Sequence, residues 1–335
     1  MKYGGNFMLE TLQQNKVKAQ EILQFHPFTI ESKSKIEQYT KPWSPECSDL
    51  SFVNLFIWGI DGKMEYAEAE NCLYIKCKFG TFPIYLWAPL PMKGKPCNYK
   101  KAVQLGLDYM REIGTYPIYR NIWTFLVDEL KKHCPQLYFI PQEYSWDYVY
   151  DRESLATLKG KKLHGKRNHI NQFLAQHPNY EYHPIDPNNQ AMLEDCLHLY
   201  DTWREEKQNA NLDHEQQSVH IALNYMKELN LTGGTIYDDG KLLGFTVGER
   251  LLPDMQLIHI EKGLSDVPGI YPMINQQYVI HACQDVKWIN REEDMGLAGM
   301  RKAKRSYNPA RMIEKYTAST DLALLVQQQP DEEEE

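Results

Sequence analysis

What the chain lacks narrows its chemistry first. No stretch approaches the roughly 18 consecutive apolar residues of a membrane-spanning helix. The N-terminus shows no basic, apolar and small-residue signal pattern. The expectation is therefore a cytoplasmic chain with no transmembrane segment. CxxC pairs are absent, and the seven cysteines stand singly at 47, 72, 77, 97, 134, 196 and 283. That pattern argues against a zinc ribbon or a thioredoxin-like site and fits reduced, mostly buried thiols. The eleven histidines are dispersed, with only His164 and His169 sharing a segment, and none has metal-ligand spacing. GxGxxG, Walker, GxSxG, HExxH and EF-hand patterns are all missing. Neither a metal nor a resident cofactor is expected.

What is present describes an ordinary globular chain of 335 residues, 42% hydrophobic, 24% charged and 12% aromatic. That length exceeds what one hydrophobic core usually supports, so two domains are expected. Of the formal net charge of −8, five negative charges sit in Asp331 to Glu335, leaving −3 for the rest. A terminal run of acids reads as a solvated tail and says little about partners.

Strands and helices alternate in two blocks, which predicts an α+β (mixed α/β) protein. Residues 1–26 read as a helical extension, 27–150 as a first domain, 151–317 as a second, and 318–335 as a disordered acidic tail. In the first block, Ser51–Trp58 is apolar and fits a buried helix or strand equally well. Cys72–Lys78 and Phe82–Ala88 read as strands. Asn98 is placed to cap a helix carrying Val103, Leu107 and Met110, and Asn121 to cap a second helix stopped by Pro135. Leu137–Ile140 and Asp147–Tyr150 read as strands again.

The second block starts with helical segments from Ser154, interrupted at Gly160 and Gly165. Met192, Cys196, Leu199 and Trp203 form one helical stripe, and Asp213 with Gln216 resembles a capping box. Asp238-Asp239-Gly240, between Thr235–Tyr237 and Leu242–Val247, is a hairpin signal because Asp-Gly supplies positive φ angles. Met255–Lys262 is a third strand, followed by a helix around Met273–Cys283 and a strand over Val286–Glu293.

Two segments carry unusual charge. Lys159–His169 and Arg301–Arg311 each hold five Lys or Arg side chains and no acid. Arg and Lys at this density suit phosphates, although either run could be a solvated face. Along the strand before the second segment, alternation puts Asn290, Glu292 and Asp294 on one face and Arg291 and Glu293 on the other. On the preceding strand His259 and Glu261 share a face. Glu261 is either a general base raised by burial or a partner in an ion pair.

Four motifs in order, Lys159-Gly-Lys-Lys-x-His-x-Lys-Arg-Asn168, Ile260-Glu-Lys262, Ile289-Asn-Arg-Glu-Glu-Asp294 and Gly299-Met-Arg-Lys-Ala-Lys-x-Ser-Tyr-x-Pro309, carry a resemblance. Over about residues 25–317 the chain resembles an uncharacterised bacterial family similar to the C-terminal domain of phosphatidylglycerol lysyltransferase. The resemblance implies two tandem GNAT-like (acyl-CoA N-acyltransferase) domains, as in Fem transferases that use aminoacyl-tRNA, the first structural and the second catalytic. It implies transfer of an aminoacyl group to a hydroxyl or amine by direct attack. Glu261 or Glu292 would accept the proton and Lys304 or Arg301 would stabilise the oxyanion. Lys161, Lys162, His164, Lys166, Arg167, Asn168, Lys262, Gly269, Asn290, Arg291, Asp294, Lys302 and Tyr307 would contact substrate or phosphate.

Donor and partners follow from the same resemblance: tRNA, with a lipid at a membrane surface as one acceptor. The alternatives are an acyl-CoA-dependent N-acyltransferase and a non-catalytic GNAT scaffold that binds RNA or anions. Acetyl-CoA enzymes offer a glycine-rich loop to a pyrophosphate. The corresponding loop here keeps only Gly269 and carries Asp266, which speaks against that cofactor.

Overall fold

The computed structural model describes residues 17–79, 83–207 and 213–327. Helices are α1 (Ala19–Ile22), α2 (Lys33–Thr40), α3 (Phe52–Trp58), α4 (Tyr99–Glu112), α5 (Thr124–His133), α6 (Arg152–Thr157) and α7 (His164–Gln176). They continue with α8 (Gln190–Lys207), α9 (Asp213–Asn224), α10 (Met226–Leu229), α11 (Ile270–Ala282), α12 (Ala298–Arg305) and α13 (Leu322–Gln327).

The first half holds β1 (His26–Pro27), β2 (Met64–Ala69), β3 (Cys72–Cys77), β4 (Tyr85–Trp87), β5 (Leu90–Pro91), β6 (Tyr119–Trp123) and β7 (Tyr138–Pro141). Then come β8 (Asp147–Asp151), β9 (Glu181–Pro184), β10 (Thr232–Asp238), β11 (Lys241–Leu252), β12 (Met255–Gly263), β13 (Trp288–Asn290), β14 (Arg311–Ile313) and β15 (Lys315–Ser319). One sheet runs β1-β2-β3-β4-β6-β15-β7 with β5 beside β3, and the other runs β14-β8-β13-β12-β11-β10-β9. This is the mixed α/β, two-sheet architecture expected from the sequence.

Local signals explain most elements. Asn98 caps α4, its side chain accepting from the Lys101 amide at 3.1 Å. Asp239 and Gly240 turn the β10–β11 hairpin with φ of 47° and 76°, the left-handed pair that a two-residue turn needs. Ser51–Trp58 resolves as helix: the Ser51 hydroxyl accepts from the Val53 amide at 3.0 Å and starts α3.

Other expectations change. Asn121 does not cap a helix; it lies within β6 at φ 51°, donating to Asp49 Oδ1 at 3.0 Å, and α5 starts at Thr124. The strand expected over Val286–Glu293 is only β13, because Glu292 turns to φ 55° and ends the extended run. Gly165 lies inside α7 and interrupts nothing. Of the strand expected at Phe82–Ala88, β4 is observed, and residue 82 lies outside the described residues.

The two halves exchange strands. β8 ends the first block in sequence but pairs with β13 and β14. β15 leaves the second sheet and inserts between β6 and β7. Residues 318 and 319, expected in a disordered tail, are therefore buried strand, and α13 follows them. What holds β15 there is Lys315, whose ammonium pairs with Asp49 at 2.6 Å and Asp147 at 2.9 Å. The rest of the expected tail, 328–335, and most of the expected helical extension, 1–16, lie outside the described residues.

In the second sheet α11 packs on β10, β11 and β12, and α8 packs on β11 and β12. Neighbouring side chains of β12 show these as opposite faces: Glu261 meets Asn275 of α11, and Lys262 meets Trp203 of α8. One continuous apolar core runs through both halves.

Candidate active site

β12 and β13 are parallel neighbours for three residue pairs only, Met255–Leu257 with Trp288–Asn290. Opposite β11 the register then slips, with Val247 facing Ile260 and Gly248 facing Ile258, so His259 is an extra residue. Such a bulge bends a strand and re-aims its side chains. Beyond it β12 runs on to Gly263 while β13 stops, and side chains bridge the gap between them.

The first bridge joins Arg291 to Glu261, Nη2 to Oε1 at 2.7 Å, and Asn275 Nδ2 donates to the other carboxylate oxygen at 2.8 Å. Burial opposes the guanidinium charge, but Glu261 raises the Arg291 pKa above its usual value and keeps it a cation. In the second bridge His259 lies between Glu292 at 3.0 Å and Glu249 at 3.1 Å. Burial would lower that imidazole's pKa; the two carboxylates instead raise it to about 9. Ser51, the α3 cap, donates to Glu249 and ties this bridge to the first half.

The two cationic segments converge here. Lys162 donates to Asn308 Oδ1 at 3.1 Å across 146 positions of sequence. The Lys166 ammonium lies 4.0 Å above the Tyr307 ring, and the Arg291 guanidinium lies 4.7 Å from the same ring. Burial and the neighbouring Arg291 lower the Lys166 pKa to about 8, against a smaller opposing effect of Glu261. Lys161, Lys162, His164, Asn168 and Lys302 are exposed. Arg167 instead turns inward to the carbonyls of Leu158 and Gly160, closing its own loop.

Several expected site residues are committed elsewhere. Lys304 Nζ donates to the carbonyls of Arg291 at 2.6 Å, Glu292 at 3.2 Å and Glu293. Its ammonium is thus a buried strut, its pKa lowered by burial, and does not face a developing oxyanion. Arg301 pairs with Asp294 at 3.1 Å, and Tyr148 donates to the same carboxylate at 2.7 Å. Asn290 is fully buried and donates to Asp147 at 2.9 Å. Lys262 points to the opposite face, 2.8 Å from Glu215 and 3.6 Å from the Trp203 ring centre.

Gly269 also has a packing role. At φ 83° it lets α11 approach α7 so closely that a Cβ would sit 2.1 Å from the His169 carbonyl oxygen.

A third charged group was invisible in the sequence. Asp49, Asp147 and Glu293 gather around the Lys315 ammonium. Burial raises the Glu293 pKa to about 7, against the pull of Lys315. No spacing signals a cluster assembled from residues 49 to 315. Two open depressions, of about 500 and 670 Å³, lie away from all these groups, one beside Asp195 and Tyr237 and the other beside Phe28 and His220.

The fold places the chain among two-sheet mixed α/β proteins. More narrowly, residues 42–319 match the family described as phosphatidylglycerol lysyltransferase, C-terminal, and the chain belongs to that family. Its structure is similar to a conserved Bacteroides thetaiotaomicron protein of unknown function, with 30% identity and TM-score 0.76 over 88% of this chain and 99% of that one. The C-terminal domain of an Agrobacterium fabrum protein described as a lysylphosphatidylglycerol synthetase superposes with TM-score 0.60 at 14% identity, over 88% and 94% of the two chains. L-PGS from Bacillus licheniformis gives 0.57 at 15%, over 80% and 87%.

In sequence, the chain is 28% identical over 180 residues to the uncharacterised protein MYCGA3080 of Mycoplasmoides gallisepticum, covering 53% of this chain and 57% of that one. The chain thus spans little more than half the length of that relative. Among the described residues no helix is long and apolar enough to cross a membrane.

Proposed function

We propose that the chain transfers an aminoacyl group from aminoacyl-tRNA to a hydroxyl or amine acceptor. The observation that carries this reading is the convergence of two acid-free cationic segments on the Glu261–Arg291 bridge. Exposed Lys161, Lys162, His164, Asn168 and Lys302 would meet the donor's phosphates, where Lys acts as a point charge. The acceptor oxygen or nitrogen attacks the ester carbonyl, a new C–O or C–N bond forms, the bond between the acyl carbon and the ribose oxygen breaks, and that oxygen leaves as a hydroxyl by taking up the proton removed from the acceptor.

Glu261, aimed by Asn275 and Arg291, takes the acceptor's proton. The oxyanion falls to Arg291 rather than to Lys304 or Arg301. Its guanidinium stands between Glu261 and the Tyr307 ring, where it can meet a developing negative charge. The family match supports the aminoacyl-transfer class, and the acid Asp266 in the loop entering α11 disfavours the pyrophosphate of a CoA donor.

The test pairs tRNA binding with single-turnover transfer. The three lysines among the exposed residues, each neutralising one phosphate, predict affinity falling roughly twentyfold to fortyfold between 50 and 200 mM salt. Charge reversal at Lys161 and Lys162 should abolish much of that slope, and Glu261→Gln should leave binding intact while slowing transfer. Absence of tRNA binding at low salt, or an unchanged transfer rate in Glu261→Gln, would overturn the reading.

A further inference from the structure

Lys166 sits where its helix calls for an apolar residue. Leu163, Ile170 and Phe173 are the buried positions at the start and along the length of α7. Position 166 comes three residues after Leu163 and four before Ile170, so it falls on the same stripe. Lys161, Lys162, His164 and Asn168, off that stripe, are exposed, whereas Lys166 is half-buried. It also lies in the first turn of α7, where the helix dipole disfavours a cation. A lysine kept against two local preferences marks a place where its amine is used.

The other cations held inward in this region have spent their N–H groups. Arg291 is bonded to Glu261, Arg167 to the carbonyls of Leu158 and Gly160, Lys304 to three carbonyls of 291–293, and Arg301 to Asp294. Lys166 makes neither a hydrogen bond nor an ion pair among the described residues. Its ammonium rests 4.0 Å over the Tyr307 ring, a contact that holds the charge in place and leaves its protons free.

The same ring lies 4.7 Å from the Arg291 guanidinium, which reaches Glu261 at 2.7 Å. Carboxylate, guanidinium and ammonium therefore follow one another, and no direct ion pair joins Lys166 to Glu261. Burial and then Arg291 lower the Lys166 pKa to about 8, against the pull of Glu261. In that range an amine both gives and regains a proton near neutral pH. The Tyr307 phenol, pushed up to about 12 by burial, stays neutral beside it.

We propose that Lys166 is the proton donor to the leaving ribose oxygen. As the bond between the acyl carbon and that oxygen breaks, the electron pair goes to the oxygen and one ammonium N–H protonates it. The neutral amine then regains a proton from the Glu261 carboxyl, which took it from the acceptor. Both side chains end as they began, and the net course of the proton is from acceptor to ribose. This deepens the transfer reading and rests on it: Glu261 serves the attack, Arg291 the developing charge and Lys166 the departure.

Two variants test it. Lys166→Met completes the apolar stripe and should fold at least as well as the parent, as read by thermal unfolding. Lys166→Arg keeps the charge, but a guanidinium does not release its proton near neutral pH. Donor loss is followed at single turnover from bulk tRNA charged with mixed radiolabelled amino acids, with glycerol and ethanolamine as hydroxyl and amine acceptors. Both variants should slow it roughly a hundredfold or more. Both should keep the parent's salt slope in tRNA binding, from which loss of a phosphate contact would remove about one unit. With 4-nitrophenyl esters of the same amino acids, whose phenolate leaves without a proton, the defect should disappear.

The proposal falls if Lys166→Arg works at the parent's rate or if the defect is as deep with the nitrophenyl esters. It also falls if Lys166→Met lowers the salt slope by about one unit, which would make Lys166 a phosphate contact. A parent chain that does not accelerate donor loss sinks the transfer reading and this one with it. A parent that does, with both variants unimpaired, sinks this one alone.

Discussion

His259 offers a direct test of the bridged cleft. Its imidazole is fully enclosed and lies between Glu249 and Glu292 at 3.1 and 3.0 Å. Held at about 9 against the ordinary 6.5, it binds its proton more tightly in the folded chain than in the unfolded one. The linked stability is therefore fully present below pH 6.5 and is lost as pH rises through 9. A shift of that size corresponds to about 3 kcal/mol.

The assay is urea unfolding of the parent and His259→Gln from pH 6 to 9.5, read as the difference between the two stability curves. Lys166 and Glu293 also titrate in this window, but both variants keep them and the difference cancels them. The parent's advantage should shrink by about 3 kcal/mol across the window. Parallel curves would refute the claim that His259 is an imidazolium clamped by two carboxylates.

Two further outcomes test neighbouring features. Gly269→Ala puts a methyl group 2.1 Å from the His169 carbonyl at φ 83°, so thermal unfolding should show a loss of at least about 2 kcal/mol. An unchanged melting temperature would mean that α7 and α11 do not meet there. Competitive labelling of amines should find a Lys166 midpoint of about 8, lowered further in Glu261→Gln because Glu261 stabilises the ammonium. An ordinary lysine midpoint would place Lys166 in open water.

The sequence carried what is local. Asp239-Gly240, the Asn98 cap and the stripe along α8 are decided within a few residues by turn chemistry and helical period, and all appear where they were read. The cationic segments were legible for the same reason, since absence of acid is a property of consecutive residues. The roles inside them were not. Lys304 and Lys162 sit in equally basic runs, yet one is a buried strut under three carbonyls and the other is exposed. Where each segment lies against the rest of the fold decides that, and no run of charges encodes it.

The sequence by itself thus determined the class of fold, the alternation of elements, the family resemblance and the two cationic segments. Tertiary structure alone decided the strand exchange through β15, the bulge at His259 and the closing of Arg291 onto Glu261. It also decided the gathering of Asp49, Asp147 and Glu293 around Lys315. The physical reason is range. Turn and period preferences act between neighbours. A buried charge is tolerable only beside partners that the folded chain brings from far away, and those partners become readable only when the topology is known.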